Sequence, residues 1–255
     1  MPTILVTVAY DGTNYSGWQQ QPNGLAVQQV VEEALGQLLK EPVQVRSSGR
    51  TDAGVHARAM AASFITSRDL PMQAFVEGVN RFLPADIAIQ DARIVPDGFK
   101  PITMAHAKQY RYTIINSSIR SPLDRLYSWQ VREPLDLAAM AEAAGRFVGS
   151  HNFAAFRASN CVAKTTVRRI DSVLITREGD RIIIDVTGGG FLKNMVRVMV
   201  GTLVDIGKGR FVPADIDRLL QEGDRKAAGS TAPACGLCLI QVNYPKEVTS
   251  PPADV

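Results

Sequence analysis

Between Thr3 and Val95 the hydrophobic period of the chain switches repeatedly between two and 3.6, and few folds accommodate that order. Thr3 to Tyr10 is β-branched and alternating, which predicts a strand. A polar, glycine-containing loop runs from Asp11 to Gly24. Val27, Val30, Val31, Ala34, Leu35 and Leu38 then recur at the helical period, predicting a helix over 26–40. Strands are expected over 43–47 and 59–65, then a helix opened by Pro71 and closed by Pro84, then a strand over 86–95. Strand, helix, strand, strand, helix, strand is the order of a split β-α-β unit, in which helices pack on one face of a largely antiparallel sheet.

A second set of elements begins near Ala107. Residues 108–116, which include Tyr110-Arg111-Tyr112, and residues 127–132 read as strands, and 135–148 as an alanine-rich helix. Residues 168–176 and 181–186 read as a hairpin joined through Glu178-Gly179-Asp180. Gly188-Gly189-Gly190 leads into a mostly apolar helix over 191–206. No Gly-Lys-Ser/Thr follows the triplet, so it reads as a turn rather than a phosphate loop. Pro213 opens a short helix, and 237–244 closes as a strand. The expected class is α/β of the α+β type, with two similar halves (1–106 and 107–245) and a tail over 246–255. Each half is expected to be a mainly antiparallel sheet with helices on one face.

The chain has 255 residues, and none of its apolar stretches approaches the ~18 residues of a membrane span. No basic segment precedes the first strand, so a soluble, cytoplasmic protein is expected. Cys161, Cys235 and Cys238 are an odd number, which argues against a disulfide framework. Cys235 and Cys238 form a C-x-x-C inside an expected strand. Residues three apart on a strand point to opposite faces, and no second Cys/His pair follows, so no metal is expected there. His56, His106 and His151 have no metal-binding spacing. Charge is uneven: residues 100–169 carry eleven basic and four acidic side chains against a net charge of +3 for the whole. A block that basic suits a polyanion, or else is only a solvated face.

The sharpest local signal is Ser48-Gly49-Arg50-Thr51-Asp52-Ala53-Gly54-Val55-His56-Ala57, which joins two expected strands and sets Asp52 at a loop tip. An aspartate before Ala-Gly also closes Asx turns, and the loop taken alone favours that reading. The full string resembles the catalytic motif of the tRNA pseudouridine synthase A family. The likeness continues through Tyr10-Asp11-Gly12-Thr13 with Gly17-Trp18-Gln19, and through Val27-Gln28 at the helix start. Further blocks are Lys108-Gln109-Tyr110-Arg111-Tyr112, the His151 to Arg157 stretch, the Phe191 to Arg197 stretch, and Thr231 to Leu237. They occur in order from about residue 3 to 245, and together they are specific where each alone is weak.

The resemblance implies a pseudouridine synthase fold and a tRNA isomerase acting on uridines 38, 39 and 40 of the anticodon stem-loop, typically as a homodimer. It makes Asp52 the catalytic carboxylate, Tyr110 the ring that stacks on the target uracil, Arg197 the partner of the aspartate, and Arg50 a residue handling the target nucleotide. Lys193 and Asn194 depart from the aromatic and histidine common at those positions.

Chemistry supports these roles. Pseudouridine forms when the N1–C1′ bond breaks, the uracil turns, and C5 joins C1′. No redox change is involved, so neither nucleotide cofactor nor metal is required. A carboxylate suffices, as nucleophile or as base removing a ribose proton. A nearby guanidinium keeps such a carboxylate ionised in a dry pocket. The alternative for Arg197 is an exposed basic stripe with Lys193, one helical turn away. For Tyr110 it is a core aromatic, since Tyr110 and Tyr112 share a strand face. Phosphate contacts are expected from Lys108, Arg111, Arg157, Lys164, Arg168 and Arg169. Trp18 and Trp129 read as core or loop anchors. The runner-up function is a catalytically silent tRNA-binding protein on the same scaffold.

Overall fold

In the computed structural model, which describes residues 1–245, the chain divides into two compact units. One joins Met1–His106 to the chain from Leu239 onward, and the other is Ala107–Cys238. The first contains β1 (Thr3–Tyr10), α1 (Val27–Leu39), β2 (Arg46–Ser47), β3 (His56–Ile65), β4 (Ile87–Val95) and the short α2 (Pro101–Met104). β1 lies between β3 and β4, antiparallel to both, and β2 pairs antiparallel with β3. This is the split β-α-β order read from the periodicity.

Strand alternation sorts the first unit's core. Ile4, Val6 and Val8 of β1 pair with Phe64, Ala62 and Met60 of β3. On that face Phe64 meets Phe75 of the helical stretch Ala74–Gly78, ring centroids 5.8 Å apart. Leu5, Ala61 and Val95 take the opposite face, under Phe99, Val242 and Tyr244. α1 buries Val27, Val31, Ala34, Leu35 and Leu39, the valines and leucines each contributing about 1.5–3 kcal/mol relative to exposure. The strand expected over 43–47 shortens to Arg46–Ser47. Val45 instead bonds to α1: its N–H donates to Glu32 Oε1 at 2.8 Å, and its carbonyl accepts from Gln28 Nε2 at 3.4 Å.

The second unit contains β5 (Ala107–Asn116), β6 (Trp129–Val131), α3 (Leu137–Gly145), β7 (Gly149–Asn152), β8 (Val167–Glu178), β9 (Arg181–Gly188), α4 (Met195–Gly207) and α5 (Asp215–Glu222). Its antiparallel order is β5-β9-β8-β7, and β6 adds parallel to β5. β8 and β9 form the expected hairpin, tightened to the two residues Gly179 and Asp180, with Gly179 at φ +61°. Asp136 caps α3, its Oδ1 accepting from the N–H groups of Ala138 and Ala139 at 2.9 and 3.0 Å. The rings of Phe147, Phe153 and Phe156 cluster with centroids 5.0 to 6.2 Å apart. The last strand, β10 (Leu237–Asn243), returns the chain to the first unit beside β3, so the second half ends at Cys238 and not at residue 245. The tail expected over 246–255 lies outside the described residues. Among the described residues no helix is long and apolar enough to cross a membrane.

α4 is buried along nearly its whole length. It begins at Met195, four residues later than the apolar run suggests. Asn194 sits at φ +61°, and the carbonyl of Lys193 accepts from the Ala158 N–H at 2.9 Å. Midway along α4 the chain crosses backbone to backbone. A Cβ on Gly201 would lie 1.8 Å from the Ser230 carbonyl oxygen, and the Gly229 N–H donates to Thr202 Oγ1 at 3.1 Å. Gly201→Ala is therefore expected to destabilise the fold by about 1–3 kcal/mol, as overpacking does. A urea midpoint unchanged from wild type would show that the crossing yields without strain.

Candidate active site

The first unit places Asp52 on a turn held by main-chain contacts. The Val55 N–H donates to the Asp52 carbonyl at 3.1 Å, and Gly54, at φ +76°, takes the position that needs a positive φ. The turn thus closes through the Asp52 backbone carbonyl. Around it wraps the polar loop that follows β1. The Trp18 N–H donates to the Thr51 carbonyl at 3.2 Å, and the Gly54 N–H to the Tyr15 carbonyl at 3.4 Å. Gly17 has φ +97°, and a Cβ there would lie 2.4 Å from Thr51 O and 3.1 Å from the Asp52 carbonyl carbon. Only glycine lets the two loops approach that closely.

Beneath the turn the contacts are buried and polar. Tyr10 Oη and Thr51 Oγ1 share a hydrogen bond of 2.8 Å, and the Tyr10 ring lies 5.8 Å from that of Trp18, which is 1% exposed. The Gly12 N–H donates to His56 Nδ1 at 3.0 Å, which puts the proton of a neutral ring on Nε2. Asp11 Oδ1 lies 3.1 Å from the same Nδ1. The Gln28 N–H donates to the Trp18 carbonyl at 2.9 Å, tying the loop to the start of α1. Arg50 is exposed on the same loop. Residue type alone gives Tyr10, Gly17 and Thr51 no role of their own, while Trp18 is the anchor its sequence context suggests. The signal available was that a long polar loop and the Asp52 loop both sit at the end of the β1–β3 pair.

The second unit holds Tyr110 and Arg197. Tyr110, on β5 opposite Val186, is buried and meets Phe191 edge to face with centroids 5.1 Å apart. Tyr112 lies on the same strand face, and its hydroxyl donates to the Pro233 carbonyl at 2.8 Å. Arg197 stands in the first turn of α4, where the macrodipole disfavours a cation. Acceptors offset this: Nε donates to the Ala232 carbonyl at 2.8 Å and Nη1 to Asn194 Oδ1 at 3.1 Å. The exposed stripe with Lys193 does not form, because Lys193 lies outside the helix and Arg197 is half-buried. Asn194, one of the two departures from the family pattern, serves as one of the anchors of Arg197.

The basic residues sort by environment. Arg111 points away from Tyr110's strand face and forms a bidentate pair with Asp185, at 2.9 and 2.8 Å. Lys108 is half-buried, and burial pushes its ammonium down to about 8. Lys164 and Arg169 are exposed, and Arg169 lies 3.1 Å from Asp171. Arg168 bonds to the Val167 and Thr165 carbonyls, and Arg157 precedes Ala158, whose N–H holds Lys193. The Gly189 N–H donates to the Arg169 carbonyl at 3.0 Å and a Cβ on Gly190 would lie 3.9 Å from Arg168 Cδ, so Arg157, Arg168 and Arg169 flank the Gly189–Lys193 approach to α4. Cys235 lies in the turn Ala234–Gly236 before β10, not in a strand as expected, and donates to the Ser128 carbonyl at 3.3 Å. Neither it nor Cys238 forms a disulfide among the described residues.

Comparison with known proteins agrees with this architecture. The sequence profile of the tRNA pseudouridine synthase family matches residues 6–101 and 143–245. The tRNA pseudouridine synthase A of Pelobacter propionicus is 68% identical over 244 residues, 96% of this chain and 100% of its own. That of Geotalea uraniireducens is 56% identical with the same coverage, and that of Myxococcus xanthus is 47% identical over 96% of this chain and 92% of its own. With the matched segments containing both the Asp52 turn and the Arg197 helix, the chain belongs to the tRNA pseudouridine synthase family.

Proposed function

We propose that this protein isomerises uridine to pseudouridine in tRNA, at positions 38 to 40 of the anticodon stem-loop, with Asp52 as the catalytic carboxylate. The observation that carries the reading is a turn-borne aspartate clamped by the loop after β1, in a chain of this family. In the reaction the N1–C1′ bond breaks and a C5–C1′ bond forms. C5 loses its proton to solvent, and N1 takes one up. Redox state does not change, and the carboxylate is regenerated. Rigid placement of Asp52 supplies the orientation such a step requires.

The second unit supplies the other groups. Arg197, held by Ala232 and Asn194, takes the role of the basic partner that the motif pattern assigns to the catalytic aspartate. Tyr110 offers an aromatic face to a base drawn out of its stack, worth about 1–3 kcal/mol against an unstacking cost of a few. Arg50, exposed beside the turn, handles the target nucleotide. Arg157, Lys164, Arg168, Arg169 and Lys108 supply phosphate contacts, while Arg111 is held by Asp185. The working form is a cytoplasmic homodimer.

The direct test is release of tritium from C5 of uridine in unmodified tRNA. Asp52→Asn is expected to lower release about a thousandfold or more while tRNA binding is kept. Release at the wild-type rate would make Asp52 a turn residue only. Gly17→Ala, which displaces the Asp52 turn without touching its side chain, is expected to lower kcat by about a hundredfold. Unchanged kcat would show that the clamp does not position the carboxylate. For Lys108, a phosphate against the ammonium would raise its proton affinity in the complex. Affinity for tRNA should then be full below pH 8 and decline as pH rises through the value in the complex, whereas Lys108→Met stays flat. A wild-type profile as flat as the variant's removes Lys108 from the phosphate contacts.

A further inference from the structure

Residues 117–130 of the second unit fall in the gap between the two segments matched by the family profile, and they form a cleft of about 360 Å³. That volume is at the lower end of the range that holds small ligands. Its walls include Arg120, Ser121, Arg125, Trp129, Gln130 and Cys235. Ile114 of β5 pairs with Trp129 of β6, so the Trp129 wall is anchored in the sheet. The Trp129 ring is half-buried and meets Tyr112 edge to face, centroids 6.4 Å apart.

The intervening loop is tied internally. Ser121 Oγ donates to Asp124 Oδ2 at 2.6 Å, Ser128 Oγ to the Asp124 carbonyl at 2.8 Å, and Gln130 Nε2 to the Ser117 carbonyl. Arg181 pairs with Asp124 at 2.8 Å, so the carboxylate of the loop is already matched. Arg120 has no hydrogen bond or ion pair among the described residues. Arg125 spends one N–H on the Pro122 carbonyl and has no carboxylate partner among them. The cleft thus carries two guanidiniums without local counter-charge, beside an aromatic ring, a hydroxyl and an amide.

Forked N–H donors match phosphate oxygens, and a flat ring accepts a base face. The cleft also shares a wall with the anchor of Arg197. The segment Ala232–Cys235 gives one carbonyl to Arg197 and the next to Tyr112, and then its Cys235 thiol to Ser128. Along β5, Tyr110 and Ile114 are four residues apart, about 13 Å at strand rise. We propose that this cleft is a second RNA site, taking a nucleotide near the one isomerised, with its phosphate on Arg120 and Arg125 and its base against Trp129. The assignment rests on the tRNA reading above and adds to it a contact outside the catalytic groups.

The test compares wild-type protein, Arg120→Ala/Arg125→Ala, and Arg177→Ala, an exposed arginine beside the β8–β9 turn, for tRNA affinity across a salt series. The double variant should bind about tenfold more weakly. Its slope of log Kd against log salt should fall by about 1.4, the loss of two phosphate contacts to a single strand. Tritium release at saturating tRNA should stay at the wild-type rate, which also shows that the variant is folded, and Arg177→Ala should match wild type throughout. Uridine monophosphate at millimolar concentration should not displace tRNA. A double variant with wild-type Kd and slope overturns the proposal. So does displacement by the mononucleotide, which would assign the cleft to a free nucleotide. A changed assembly state at unchanged Kd per protomer would assign the loop to a contact between copies and overturn it too. Wild-type protein that binds tRNA without releasing tritium would count against the isomerase reading, while the Kd comparison would still decide the cleft.

Discussion

The main-chain contact between Trp18 and Thr51, with Gly17 pressed against the Asp52 backbone, is the constraint around which the first unit's site is arranged. Two loops at the same end of the β1–β3 pair interlock there without side chains between them. The arrangement needs a residue without a Cβ at position 17, and it needs buried polar partners below, which Tyr10, Thr51, Gly12 and His56 provide. Buried polar groups left unmatched would cost about 1–3 kcal/mol each, so the network holds the turn in one position or not at all. For an isomerisation that breaks a C–N bond and makes a C–C bond on the same sugar, a carboxylate with one position is what the chemistry asks of the fold.

The second unit solves a related problem with different means. Arg197 begins a helix whose N-terminal end repels cations, and local rules alone would place a carboxylate there. The Ala232 carbonyl and the Asn194 amide oxygen reverse that preference by accepting from its guanidinium. The carbonyl reaches Arg197 because Gly201 lets the chain around Ser230 cross α4 at backbone distance. A charge that breaks a propensity rule and is supported by the surrounding structure is a common mark of a functional position. Asn194 belongs to the same device, since its left-handed backbone starts the helix and its side chain holds the arginine.

Where the sequence reading and the structure differ, local pattern was overruled by a contact distant in sequence. The apolar run from Phe191 reads as helix, but the tie from Ala158 to Lys193 and the φ of Asn194 hold its first residues out, so Lys193 and Arg197 never share a stripe. Val45 reads as strand, but Glu32 and Gln28 of α1 take its hydrogen bonds. Cys235 sits in a tight turn next to Pro233, whose carbonyl accepts from Tyr112. The closing strand reads as the end of the second half, but from Leu239 it joins the first.

Hydrophobic periodicity determined by itself the element order of both halves, because a period of two or 3.6 decides which faces can be buried before any partner is known. The motif string likewise singled out Asp52, Tyr110 and Arg197 by residue type and order. Tertiary structure alone decided that the Tyr10–Trp18 stretch is the seat of Asp52, that Asn194 and Ala232 aim Arg197, and that Arg111 is committed to Asp185. Those are relations between segments far apart in the chain. They depend on strand register and on backbone approach at single glycines, neither of which leaves a period in the sequence.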